Sequence, residues 1–244
     1  MLEVTSLHKR FGPVKVINGI HLTVAAGQRH AIIGPNGAGK TTLFHLFSGN
    51  YTPDHGAIVF DGQPIAGLPP HRINRLGLSR SFQITNIFAG LSVHENIRAA
   101  VLSKHGVRFD FLRRVSRMAA INRAAAAILE QIGLTDKADR LAGELAYGQQ
   151  RALEIGITLA SDPKMILLDE PTAGMSIDET REAVRLIDRV TRGKTLLIIE
   201  HDMDVVFSLA DVITVLNYGE ILASGSPAEI RGHPKVKQAY LGGH

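Results

Sequence analysis

Gly34-Pro35-Asn36-Gly37-Ala38-Gly39-Lys40-Thr41-Thr42 decides the fold of this chain. The stretch fits G-x-x-x-x-G-K-[ST], the phosphate-binding P-loop. Its flanks agree with its spelling. Gln28-Arg29-His30-Ala31-Ile32-Ile33 enters it and ends apolar, as a buried strand does. Thr42-Leu43-Phe44-His45-Leu46-Phe47 leaves it with Leu43, Leu46 and Phe47 on one helical face. A strand, a glycine loop and a helix N-terminus together make an anion site: the glycines let the backbone curl its N–H groups inward, and the helix dipole adds partial positive charge. Lys40 is placed to reach the terminal phosphates, and the Thr41 hydroxyl to ligate Mg²⁺.

Working outward, Met165-Ile166-Leu167-Leu168-Asp169-Glu170 is the second strong signal. A continuous apolar run reads as a parallel strand buried on both faces. The two carboxylates at its C-terminal end face the rim where doubly wound sheets bind ligands. Beside a P-loop, Asp169 occupies the Walker B position that helps to hold Mg²⁺. Glu170 stands where a general base would polarise an attacking water. Thr195-Leu196-Leu197-Ile198-Ile199 is another buried strand and ends at Glu200-His201-Asp202, which puts His201 on the same rim as Lys40 and Asp169.

Residues 2–33 read as β-rich: Leu2-Glu3-Val4, Val14-Lys15-Val16-Ile17 and His21-Leu22-Thr23-Val24 lie between turn signals at Gly12-Pro13 and Ala26-Gly27. Phe11, in the first turn, either stacks on a nucleotide base or packs on the sheet. Pro53-Asp54-His55-Gly56 reads as a turn, Ala57-Ile58-Val59-Phe60 as a strand, and Pro69-Pro70 as the opening of a short helix. Leu78-Ser79-Arg80-Ser81-Phe82 is a strand followed directly by Gln83, whose side chain can touch Mg²⁺ through its oxygen, orient a water, or stay solvated in a loop. From about residue 84 to 160 helical periodicity takes over. Ile121, Ala124, Ala125, Ile128, Leu129 and Ile132 form one apolar stripe that Gly133 ends. Lys104, Arg108, Arg113, Arg114, Arg117 and Arg123 read as a solvated basic face; anionic lipid or an acidic partner surface is the alternative. Leu145-Ala146-Tyr147-Gly148-Gln149-Gln150-Arg151 is a loop before a helix over 152–160. Short strands surround Tyr218-Gly219, and the tail from Pro227 is helical and polar.

Composition sets outer bounds. The 244 residues, 45% hydrophobic and 20% charged, suit a globular fold of one large domain. Zero cysteines exclude disulfides and thiolate metal sites. The net charge of +4 is mild. The N-terminus carries no charged region followed by an apolar one, so no signal peptide is expected. No apolar run approaches the ~18–20 residues that span a bilayer, so action at a membrane requires a partner.

In this order and spacing the set closely resembles the ATPase subunit of ATP-binding cassette (ABC) transporters, over essentially the whole chain. Leu145-Ala146-Tyr147-Gly148-Gln149 resembles the family's signature loop, Gln83 its glutamine loop, His201 its switch histidine, and Phe11 the aromatic that stacks on adenine. Two segments depart from the pattern. Ala146 and Tyr147 stand where Ser and Gly are usual, which removes a hydroxyl from the signature, and Ser176 stands where an Asp is usual. The departures, with Glu200-His201-Asp202-Met203 and the closing Ala239-Tyr240-Leu241-Gly242, resemble the ATPases of branched-chain amino acid importers.

The resemblance implies an α/β P-loop NTPase of the ABC type as a single domain. Its core would be 1–83 and 161–244, with a mostly parallel central sheet and an antiparallel β-subdomain, and a helical subdomain would be inserted at about 84–160. It implies ATP and Mg²⁺: Gly34, Pro35, Asn36, Gly37, Ala38, Gly39, Lys40, Thr41 and Thr42 around the phosphates; Thr41, Gln83 and Asp169 at the metal; and Glu170, His201, Lys40 and Gln83 in catalysis. Leu145, Ala146, Tyr147, Gly148 and Gln149 would close over the ATP of a second cassette, identical or paralogous. Transmembrane permease subunits would hold the pair at the cytoplasmic face of the plasma membrane, and a periplasmic or extracellular solute-binding protein would act indirectly. The rivals fit less well. A metabolic kinase would lack the signature, a DNA-repair ATPase would need a long coiled-coil insertion, and a translation-factor ATPase would carry two cassettes, so no nucleic-acid partner is expected. Import of amides or urea and export of lipid or lipopolysaccharide use the same ATPase chemistry.

Overall fold

The computed structural model describes residues 1–81, 87–104 and 118–241. Gln83, Arg108, Arg113, Arg114 and Arg117 lie outside them. Among the described residues the chain builds two sheets. The first is antiparallel: β1 (Leu2–Phe11), β2 (Val14–Val24), β4 (His55–Phe60) and β5 (Gln63–Pro64), in the order β2-β1-β4-β5. The second contains β3 (Arg29–Ile33), β6 (Leu78–Arg80), β7 (Met165–Asp169), β8 (Thr195–Ile199), β9 (Val212–Asn217) and β10 (Glu220–Gly225), in the order β10-β9-β3-β8-β7-β6. All its pairs are parallel except β9–β10.

β7 and β8 are buried along their whole length, and the period of two sorts their residues between two cores. Ala31, Ile33, Ile166, Leu168, Leu196 and Ile198 face helices. Ile32, Met165, Leu167, Leu197 and Ile199 face α1 (Lys40–Phe47), through Phe44 and Phe47, and the inner side of the antiparallel sheet, through Leu2, Val4 and Phe60. The parallel sheet is therefore a middle layer. On its helical side α3 (Val93–Lys104), α4 (Ala119–Ile132) and α5 (Tyr147–Leu159) pack on one another, next to α6 (Ile177–Val190) and α7 (Met203–Leu209). Ile121, Ala125, Leu129 and Ile132 of α4 are buried, and the helix closes on Gly133 at φ 72°, as the stripe predicts. The short α2 (Pro70–Leu76) precedes β6; α8 (Pro227–Gly232) and α9 (Pro234–Leu241) close the chain.

The structure corrects three local expectations. Val14–Ile17 and His21–Val24 belong to one strand, β2, whose pairing with β1 skips Gly19; Gly19 sits at φ 70°, a bulge rather than a break. α1 begins at Lys40, two residues before the expected start, so the lysine is already helical. α5 begins at Tyr147, not at 152, so most of the expected loop is a first helical turn. Ala146 is its N-cap residue and has no side-chain oxygen to mark the start; only the reciprocal half of a capping box is made, with Ala146 N–H donating to Gln149 Oε1 at 3.3 Å.

One buried group makes stability depend on pH. His30 on β3 is 1% exposed, with Nε2 2.8 Å from Thr214 Oγ1. Burial pushes its pKa down to about 4. The unfolded chain, with His near 6.5, therefore binds the extra proton between those values and the folded chain does not, so stability falls as pH drops from about 6.5 to about 4. The loss is on the order of 2–4 kcal/mol. Urea unfolding of the wild type and of His30→Leu at pH 7 and pH 4.5 tests this: the variant starts less stable and loses less on acidification.

Candidate active site

Ile32, Ile199 and Asp169 stand level on β3, β8 and β7. The residues that follow each strand therefore emerge on one rim: Gly34 and the P-loop, then Glu200 and His201, then Glu170. The loop curls into α1 through Gly39, the N-cap residue, at φ 103°; a Cβ there would lie 2.9 Å from Val16 O, so both space and conformation require glycine. Lys40 is 7% exposed, and its Nζ donates to Gly34 O at 2.7 Å and Pro35 O at 3.1 Å. Burial lowers its pKa, while the carboxylates of Glu170 and then Asp169 act in the opposite direction. These three charges share one electrostatic neighbourhood. Thr41 follows on the same helical turn, half-buried.

Asp169 is 1% exposed. Its Oδ2 accepts from Arg80 Nη2 at 2.8 Å, while its Oδ1 is buried with no hydrogen-bond partner among the described residues. Glu170 departs from the strand at φ 48°, a region that non-glycine residues rarely occupy. It is held there by Glu170 N–H donating to Ile199 O at 2.9 Å and Ala173 N–H donating to Glu170 O at 3.1 Å. Glu200, fully buried, accepts from Thr172 N at 3.0 Å and Thr172 Oγ1 at 2.6 Å through Oε1, and from His201 N at 3.2 Å through Oε2. One carboxylate thus ties the loop after Glu170 to the end of β8. The His201 ring projects outward, 65% exposed.

Phe11 ends β1, 42% exposed, with Tyr51 edge-on at 5.2 Å. The Leu145–Gln149 segment packs against the loop after Glu170 and against α6. Leu145 is buried and Ala146 is exposed. Tyr147 Oη donates to Ala173 O at 3.0 Å, and Gly148 lies against Glu179 of α6. Ser176 caps α6: its Oγ accepts from Glu179 N at 3.4 Å and donates to Glu179 Oε2 at 2.7 Å. A hydroxyl can do both, whereas an Asp at this position would oppose the Glu179 carboxylate.

The family model described as "ABC transporter" matches residues 17–173, and one described as "Branched-chain amino acid ATP-binding cassette transporter" matches 220–244. The high-affinity branched-chain amino acid transport ATP-binding protein BraF of Pseudomonas aeruginosa is 42% identical, over 99% of this chain and 98% of that protein. The chain belongs to the ABC transporter ATPases. LivG of Escherichia coli K12, which carries the same transport description, is 41% identical with the same coverage. Among solved structures, the ADP conformation of the cassette MJ1267 matches with a TM-score of 0.86 at 29% identity, over 99% of this chain and 98% of that one. The cassette is therefore an ATPase with a nucleotide site.

The structure gathers Lys40, Asp169, Glu170 and His201 on one rim of the cassette, and ties Tyr147 to Ala173 in the loop that follows Glu170, while the Ala146 N–H is bonded within its own helix turn. Sequence reasoning missed two groups. Arg80 was only a strand residue, and Glu200 only the end of an apolar run. Arg80 is a charge inside a predicted strand and Glu200 a charge at the end of one predicted to be buried, and a buried charge needs a partner; that was the available signal. Glu200→Ala strips the acceptor from both Thr172 donors. It is expected to slow ATP turnover about tenfold or more while nucleotide binds with near-parental affinity, as steady-state hydrolysis and fluorescent-nucleotide titration would report.

Proposed function

We propose that the cassette hydrolyses ATP to energise import of branched-chain amino acids through a transmembrane permease. The observation that carries the chemical part is the pair at the end of β7: Asp169 with Oδ1 unpartnered among the described residues, and Glu170 leaving the strand at positive φ, close enough to act electrostatically on Lys40. In this reading Phe11 stacks on the adenine. The backbone of Gly34, Pro35, Asn36, Gly37, Ala38 and Gly39, with Lys40 and the helix start at Thr41 and Thr42, holds the phosphates. Glu170 takes a proton from the attacking water, and His201 positions the γ-phosphate. A second cassette completes the site with its Leu145, Ala146, Tyr147, Gly148 and Gln149. Catalysis is then mainly positioning and charge stabilisation.

Mg²⁺ fits the oxygen donors on this rim. Thr41, Asp169 and Gln83 would hold it, directly or through water, where it neutralises developing phosphate charge. Among the described residues, no group of three or more His, Cys, Asp or Glu is gathered to hold an ion unaided. That accords with a metal bound by one carboxylate together with substrate phosphates.

The substrate assignment is supported by BraF and LivG along nearly their whole length, together with the C-terminal match over 220–244. Among the described residues no helix is long and apolar enough to cross a membrane. From its membership of a transporter family, the reading places the cassette at the cytoplasmic membrane face through its permease, with a solute-binding protein acting on the far side. It also treats about 84–160 as the helical subdomain that passes movement to the permease. Phe88, 62% exposed beside a cleft lined by His71, Arg75, Ala100 and Ser103, supports docking there.

Glu170→Gln is expected to bind ATP, to cut turnover about a hundredfold or more, and to accumulate an ATP-bound dimer on size-exclusion chromatography. Turnover at the parental rate rejects Glu170 as the base. Labelled-leucine uptake by source cells carrying Lys40→Ala is expected to fall and to recover with the wild-type gene. Unchanged uptake in cells lacking any second leucine importer moves the substrate to another solute.

A further inference from the structure

Beside the nucleotide rim Arg80 forms an enclosed ion pair with Asp169, the two side chains 5% and 0% exposed. A buried ion pair is weak grounds for stability, because desolvation offsets much of the attraction, so its geometry is the more informative feature. Nη2 donates to Asp169 Oδ2 at 2.8 Å. Nη1 donates to Ser48 Oγ at 3.1 Å and lies 3.2 Å from His45 Nδ1. An arginine has only donors, so that ring nitrogen accepts and His45 carries its proton on Nε2. The guanidinium also sits 5.7 Å from the centre of the Phe44 ring. Phe44, His45 and Ser48 all belong to α1 or its C-cap, the helix that begins with Lys40 and Thr41. The planar fork therefore spans the two elements whose oxygens would meet the metal: Thr41 on α1 and Asp169 on β7. It occupies one oxygen of Asp169 and leaves Oδ1, buried and without a partner among the described residues, for another ligand.

We propose that Arg80 is a positioning residue for metal binding: it fixes the Asp169 rotamer from behind, braces it against α1, and thereby presents Oδ1 to Mg²⁺ on the side of Thr41. The inference rests on the reading of Asp169 as a Mg²⁺ ligand. Hydrogen-bonded partners of a ligating carboxylate orient it and raise its affinity for the ion. A lysine cannot reproduce the role, since one ammonium lacks the fork that reaches both elements.

The test is equilibrium binding of a fluorescent ATP analogue to the full chain, first in EDTA and then with Mg²⁺ titrated in, for wild type, Arg80→Gln, Arg80→Lys and Asp169→Asn. Arg80→Gln is expected to bind the analogue normally in EDTA and to need about tenfold more Mg²⁺ for half-saturation, with Arg80→Lys between it and wild type. Asp169→Asn is expected to lose the Mg²⁺ response. If Asp169→Asn loses that response while both Arg80 variants keep the wild-type half-saturation, the inference is overturned and the metal reading stands. A gain in Mg²⁺ affinity on removing Arg80 also overturns it, because the arginine would then compete with the ion. A normal Mg²⁺ response in Asp169→Asn removes both readings together. Should Arg80→Gln fail to bind nucleotide in EDTA, Arg80→Lys decides alone: a wild-type half-saturation rejects the proposal, and a raised one supports it.

Discussion

The parallel hydrogen-bond register of β3, β8 and β7 is the constraint on which the site depends. It sets Ile32, Ile199 and Asp169 level, and everything chemical follows within a residue or two of that line. Because the three strands are sealed on both faces, none can slide without moving apolar side chains out of two cores at once. The rim therefore does not need loops to find one another. Gly34, Glu170 and Glu200 arrive together because the strands beneath them end together.

Polar groups at this rim are then treated in two ways. Some are satisfied completely: Glu200 uses both oxygens on Thr172 and on the His201 N–H. Others are left with capacity: among the described residues, Asp169 Oδ1 has no partner and the hydrogen bonds of Lys40 Nζ go to carbonyls of its own loop. Buried polar groups are ordinarily paired. The unfinished ones are the groups that the proposed function gives to ligands, and the finished ones tie the neighbouring loops together. A line of contacts also runs behind the P-loop helix, from Phe11 through Tyr51 and His45 to Arg80 and Asp169.

Much of this was legible in the residues. The P-loop, the two apolar strands with their terminal acids, and the stripe on α4 carry local periodicity or fixed spacing, and the folded chain keeps them. The start of α5 was hidden because Ala146 offers no capping oxygen. β2 was divided because a bulged glycine reads like a turn. Arg80 and Glu200 were hidden for a different reason: their partners lie 89 and 28 residues away, and no local pattern encodes such a distance. Residue type showed that they needed partners, and only the sheet order showed which.

The bond from Tyr147 to Ala173 has a mechanical consequence. It joins the first turn of α5 to the loop that follows Glu170, and Arg151 reinforces it one turn later through Nε on the same hydroxyl at 3.3 Å. A helix of 13 residues is stiff and about 20 Å long. If the loop moves by more than hydrogen-bond slack, either this contact breaks or α5 tilts. A tilt at Tyr147 is magnified along the rod past Gly156, where Ile97 of α3 and Ile132 of α4 press against the backbone. The contacts thus link the loop after Glu170, through α5, to the packing of the helical layer.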